Sequence, residues 1–139
     1  MAQYLYFDTS ALVKIVRNET ASDQVVRLWK DNSYGVCASE LVITELLRAV
    51  RDEERSVIGQ ARQVLTEIAL ISIERTILEK AAHLDPTVLR PLDAIHVATA
   101  LELGEDLAAV VTFDDRMAVA ARTCGLTVLP RPETPSKTV

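Results

Sequence analysis

Short apolar runs recur along this chain, and each is followed by a stretch with helical spacing. Residues 4–7, 36–38, 69–73, 108–112 and 126–129 read as strands, being brief, aliphatic or β-branched, and bounded by polar residues. Between them lie segments that can start and stop as helices. Thr9 and Ser10 can cap a helix beginning in ALVKIV, and residues 20–23 can cap a second with Val25, Val26, Leu28 and Trp29 on its apolar face. Ser39 offers a cap to ELVITELLRAV; residues 56–68 and 76–84 give two more helices. Pro91 suits the first turn of a helix through LDAIHVATALEL, with Gly104 as its stop, and Asp114 and Asp115 open a last helix that ends near Gly125. Strands that alternate with helices in this way form a mostly parallel sheet covered on both faces, so the fold class is α/β with about five strands.

With 139 residues the chain can build one sizeable core and is too short to suggest two independent ones. Residues 1–129 are expected to form that domain, and 130–139 a C-terminal tail. Aromatics make up only 4%, so aliphatic side chains must fill the core; Trp29 and Met117 read as packing residues. Cys37 and Cys124 form no CxxC pair and no Cys/His ligand set. No apolar run approaches the length of a membrane helix and no basic-then-apolar leader opens the sequence, so a cytoplasmic protein with no membrane contact is expected.

In a parallel α/β sheet, ligands bind beyond the carboxyl ends of the strands. Asp8 closes the first strand, and Asp114 lies two residues past the strand ending at 112, so these two acids have a reason to meet. Asp93 falls in the first turn of its helix, where free amides favour a carboxylate. Glu45 shares a helix face with Leu41 and Arg48, while Val42, Leu46 and Ala49 mark another. Each position also has an ordinary structural use: Asp8, Asp93 and Asp114 or Asp115 suit helix starts, and Glu45 could be solvated.

Gathered in one place, Asp8, Glu45, Asp93 and Asp114 would repel one another unless a cation or a shared proton compensates them. Oxygen-only ligation suits Mg²⁺ or Mn²⁺ rather than zinc, and such an ion supports phosphodiester hydrolysis. Asp115 is an additional acid, and the division of roles between it and Asp114 stays open. The net charge of −5 disfavours a surface that is basic overall, although acids concentrated at a metal site would soften that objection. Arg48, Arg51, Arg90 and Arg116 could supply local positive charge; Lys14 and Arg17 could face phosphate but suit solvated positions better. His96, one turn after Asp93, suits a hydrogen bond in the core or beside the acids better than a general-base role.

The strings YFDTSALVK with Asp8, VITELLRA with Glu45, LRPLDAIHVATA with Asp93, and VVTFDDRM with Thr112 and Asp114 together resemble the PIN-domain ribonucleases. The similarity extends from Tyr4 to about Leu129 and is greatest to the VapC toxins of toxin–antitoxin pairs. It implies a single PIN-like domain with a mostly parallel sheet of about five strands flanked by helices. It further implies a Mg²⁺- or Mn²⁺-dependent endoribonuclease with Asp8, Glu45, Asp93 and Asp114 at the metal, and Thr9, Ser10 and Thr112 supporting them. The cleavage it implies leaves a 5′-phosphate and a 3′-hydroxyl. A VapB-like antitoxin that covers the active groove with a basic side chain, and a homodimer, are implied as partners besides RNA. Apolar helical surface near residues 11–16 or 43–50 is expected between the subunits. Three other readings compete: a catalytically silent PIN-like interaction module; an Asp-dependent phosphohydrolase, weakened because Ser10 stands where a second aspartate would be expected; and a receiver domain, which lacks a convincing lysine after a later strand and does not explain Glu45.

Overall fold

The run Gln3–Phe7 forms strand β1, and the consecutive burial of Leu5, Tyr6 and Phe7 places it at the centre of a sheet covered on both faces. The computed structural model describes residues 3–17, 23–86 and 89–131. Strands β2 (Tyr34–Ser39), β3 (Ala69–Ile71), β4 (Leu107–Val111) and β5 (Val128–Leu129) complete a five-stranded sheet in the order β3-β2-β1-β4-β5. Every pairing is parallel. The order runs outward in both directions from β1, so the carboxyl ends of β1 and β4 flank the switch point at which such sheets place their ligands.

The helices are α1 (Thr9–Arg17), α2 (Asp23–Lys30), α3 (Leu41–Val50), α4 (Arg55–Glu67), α5 (Arg75–Ala82), α6 (Pro91–Glu102) and α7 (Asp115–Thr123). Period-2 alternation in β1 assigns its side chains to two cores. Leu5 and Phe7 join Leu12, Val16, Val25, Val42, Leu46, Val50 and Val64 from α1 to α4 on one face. Tyr6 joins Val97, Val110, Met117 and Ala120 on the other, beneath α6 and α7. Small residues Ala94 and Ala98 let α6 also pack against Ile77 and Ala81 of α5, so this helix is buried nearly all round. Trp29 meets Phe7 edge-on at 5.8 Å, and Met117 is fully buried, both as packing residues.

Several local expectations change. Asp8, rather than Thr9 or Ser10, caps α1: its Oδ1 accepts the amide of Ala11 at 3.0 Å. β2 is longer than expected because Tyr34 and Gly35 pair with Gln3 and Tyr4, whereas β3 and β5 are shorter because each has a neighbour on one side only. α7 ends in a Schellman arrangement, with Gly125 at φ +83° and the amides of Gly125 and Leu126 bonded to the carbonyls of Arg122 and Ala121. The cap expected over 20–22 and the tail beyond 131 lie outside the described residues. Cys37 and Cys124 are free thiols, and burial pushes Cys37 up to about 12, which leaves it inert.

Of the helical surface expected between subunits, Ile43 and Ala49 are exposed. Ala11, Leu12, Val16, Leu46 and Val50 are consumed by the chain's own core and cannot form an outer face. Among the described residues, the large apolar side chains left exposed are Ile43, Leu78, Leu92 and Val119. Among the described residues no helix is long and apolar enough to cross a membrane.

Candidate active site

Asp8 follows directly on β1, and its amide continues the sheet by bonding to the carbonyl of Val111 at 3.2 Å. That fixes the residue against the end of β4. Its carboxylate is 4% exposed and fully engaged: Oδ1 accepts the Ser10 hydroxyl at 2.6 Å and the Ala11 amide, and Oδ2 accepts the Thr112 hydroxyl. Burial raises the Asp8 carboxyl above its ordinary range, outweighing the three hydrogen bonds and the favourable field of His96.

Thr112 and Ser10 carry this arrangement into the next loop. The Thr112 hydroxyl also accepts the Asp114 amide at 3.0 Å, and the Ser10 hydroxyl accepts the Phe113 amide at 2.8 Å. Asp114 caps α7, its Oδ1 receiving the amides of Arg116 at 2.9 Å and Met117 at 3.3 Å. Its Oδ2 accepts Nη2 of Arg90 at 3.2 Å. Nε of the same guanidinium reaches Oδ2 of Asp93, in the first turn of α6, at 2.8 Å. Asp8, Asp114 and Asp93 thus belong to one continuous network running Asp8–Thr112–Asp114–Arg90–Asp93.

Glu45 belongs to a second branch. Its Oε1 accepts the Thr9 hydroxyl at 2.9 Å and lies 2.7 Å from Nε2 of His96. Nδ1 of His96 lies 2.7 Å from the Tyr6 hydroxyl, which itself accepts the Ser39 amide. Burial pushes the Tyr6 phenol well above its ordinary range, so it keeps its proton and can donate to Nδ1. The Nε2–H tautomer of His96 then satisfies all of these contacts. Burial alone would raise the Glu45 carboxyl, but the hydrogen bonds from His96 and Thr9 prevail and hold it below its ordinary range. The segment Asp8–Thr9–Ser10 joins the two branches.

The four expected acids therefore meet at one edge of the sheet, through hydroxyls and a guanidinium rather than oxygen to oxygen. Among the described residues, no group of three or more His, Cys, Asp or Glu side chains is arranged to hold a metal ion. Asp115 is exposed and stands outside the network, beside an open cavity of about 540 Å³ also lined by Pro86, Leu89, Arg90, Arg116 and Val119. Of the other cations, Lys14 lies over the Phe113 ring at 5.4 Å, Arg17 pairs with Glu53 at 3.2 Å, and Arg51 pairs with Asp52. Sequence reasoning named Arg90 only as nearby positive charge and did not give His96 its partner Tyr6. The Arg90–Asp93 spacing across a helix start, and the alternation in β1 that turns Tyr6 toward α6, were the available signals.

The pattern of the PIN domain matches residues 5–123 of this sequence. The chain belongs to the PIN-domain family. Among curated relatives, this PIN-domain chain is 39% identical over 125 residues to ribonuclease VapC46 of Mycobacterium tuberculosis, covering 90% of this chain and 95% of the relative. It is 36% identical over 129 residues to ribonuclease VapC35 of the same species, with 90% and 95% covered. Its fold matches the crystal structure of VapC20 of M. tuberculosis, described as a sarcin–ricin loop cleaving toxin, with a TM-score of 0.67 at 20% identity over 84% of this chain and 94% of that one. It also matches VapBC2 of Rickettsia felis, bound there to a promoter DNA fragment, with a TM-score of 0.67 at 13% identity over 91% and 97%. The chain is a VapC-like PIN domain.

Proposed function

We propose that this protein is a metal-dependent endoribonuclease and the toxin of a toxin–antitoxin pair, with Asp8, Glu45, Asp93 and Asp114 as its reactive carboxylates. The observation that carries this reading is the meeting of four acids from β1, α3, α6 and the β4–α7 turn in linked hydrogen-bond networks at the switch point of the sheet. Kinship with proteins named ribonuclease VapC supplies the substrate class.

The donor set fits a hard divalent cation. All four groups are carboxylates, and Asp93 and Asp114 already converge on one positive group, the Arg90 guanidinium. Bound Mg²⁺ or Mn²⁺ would polarise water and offset charge developing on the phosphate. Thr112 and Ser10 fix the Asp8 carboxylate, Thr9 and His96 fix one oxygen of Glu45, and the cap of α7 aims Oδ2 of Asp114 outward. Against an aspartate-dependent phosphohydrolase, Ser10 stands where a second aspartate would be expected.

A VapB-like antitoxin is the proposed restraining partner, and the seat that Arg90 occupies supports recognition through a basic side chain. A homodimer remains part of the proposal, with its contact among the exposed Ile43, Leu78, Leu92 and Val119.

The test is single-turnover cleavage of a mixed bacterial tRNA and rRNA pool with Mg²⁺ or Mn²⁺, with EDTA, and with Asp8→Asn and Asp114→Asn. Cleavage that needs metal and falls at least about tenfold in both variants supports the reading. Activity that survives EDTA, or both substitutions, overturns it.

A further inference from the structure

Arg90 stands immediately before α6, and Pro91 at the next position holds its backbone extended at φ −64° and ψ 147°. That conformation sends the side chain across the start of the helix to Asp93 and on to Asp114. One guanidinium therefore occupies the fork between two of the four site carboxylates. It sits on the solvent side: the Arg90 side chain is 57% exposed, against 15% for Asp93 and 30% for Asp114. Nothing in the core depends on it, and an ion pair this open to water is easily exchanged.

A divalent ion in contact with the same carboxylates and a guanidinium in the same fork would repel each other strongly. Both cannot occupy it. The cavity between the start of α6 and α7, which Arg90 also lines, leaves its side chain room to turn away from the fork. Asp115 is exposed on that cavity, and its carboxylate makes no hydrogen bond or ion pair among the described residues. It offers Arg90 a second carboxylate one residue along from the one it would leave.

We propose that Arg90 is a resident, exchangeable cation of this site, which holds Asp93 and Asp114 together in the metal-free protein and moves beside Asp115 when a divalent ion takes their place. The inference rests on the reading of the four acids as a metal site. Arg90 is then a positioning residue that lowers metal affinity, and Asp115 receives it rather than binding metal. An arginine already in the fork also accounts for the two outer acids lying close together without mutual repulsion.

The experiment is calorimetric titration of Mn²⁺ into the wild-type protein and into Arg90→Ala, Arg90→Lys and Asp115→Asn, with circular dichroism melts to establish that each is folded. Arg90→Ala is expected to bind Mn²⁺ at least about fivefold more tightly than wild type, since the competitor is gone. Arg90→Lys, which keeps the charge, should lie between them. Asp115→Asn should bind more weakly than wild type, because the displaced guanidinium loses its second partner. In NMR spectra the Arg90 Nε–H resonance of the wild type should shift on addition of Mg²⁺. Equal or weaker Mn²⁺ binding by folded Arg90→Ala overturns the inference alone. Absence of binding in wild type and Arg90→Ala alike overturns the metal-site reading and the inference with it.

Discussion

The hydroxyl of Thr112, just past β4, donates to the carboxylate of Asp8, just past β1, and so ties the ends of the two central strands together. The same oxygen accepts the Asp114 amide. The position of Asp114 is thereby set by the residue that also holds Asp8.

A buried carboxyl held in this way has a definite pH signature. Because the folded protein raises the Asp8 pKa, folding takes up a proton between the unfolded and folded values. Its contribution to metal-free stability is present below the unfolded pKa and is lost as pH rises through the folded one. Asp8→Asn should therefore gain in melting temperature relative to wild type as pH climbs from the acid range to neutrality. Glu45 has the opposite sign: its folded pKa is lowered, so its contribution is present above the unfolded pKa and is lost as pH falls through the folded one. Thermal melts of wild type, Asp8→Asn and Glu45→Gln in EDTA, across pH 4 to about 7.5, should show opposed trends. Parallel curves for all three would remove both assignments.

Ser10→Ala removes the donor to Asp8 and leaves the Phe113 amide without its acceptor. A loss of about 1–3 kcal/mol is expected on urea unfolding, since a part-buried amide is left unpaired. Thr112→Val should cost a similar amount and also loosen Asp114. Both variants should cleave RNA more slowly than their stability loss explains.

His96 links Glu45 to Tyr6 within the core. Tyr6→Phe should cost about 1–2 kcal/mol, because the Ser39 amide loses its acceptor while ring packing survives. His96→Ala should cost more, about 2–4 kcal/mol, by adding a cavity beside an unpaired phenol. A His96→Ala protein of wild-type stability in urea would contradict this account of the linkage.

For Asp93→Asn the relevant partner is Arg90 rather than the other acids. Relief of repulsion is not expected to stabilise the variant, because a guanidinium already compensates the charge. A pair whose guanidinium is open to water contributes little, so the metal-free melting temperature should stay within about 2 °C of wild type. The stabilisation produced by Mn²⁺ should shrink markedly, and RNA cleavage should fall by at least about tenfold. An undiminished Mn²⁺-induced shift would take Asp93 out of the proposed metal site.

Much of this was legible in the sequence because the signals were local. Apolar runs at strand length, Pro91 before Asp93, and the pair Asp114–Asp115 at a helix start each follow from backbone sterics and capping. Strand order brings Asp8 beside Asp114 once the sheet is parallel and β1 central. Ala11 and Leu46 turn into the chain's own core, which periodicity could not show, because it marks an apolar face without telling whether the chain or a second subunit covers it. Arg90 was underestimated for a related reason. Its role depends on two carboxylates, one of them brought in by tertiary folding from α7, and no window of sequence contains all three.

The two oxygens of Asp114 have separate duties: Oδ1 binds the amides that begin α7, and Oδ2 turns outward to Arg90. Only the first concerns folding, and an asparagine or serine can do the same there. A descendant of this chain could therefore surrender its outward charge in a single substitution and still inherit the whole architecture. Shape and chemistry can part company at this residue, so loss of nuclease activity along a lineage would leave almost no trace in the fold.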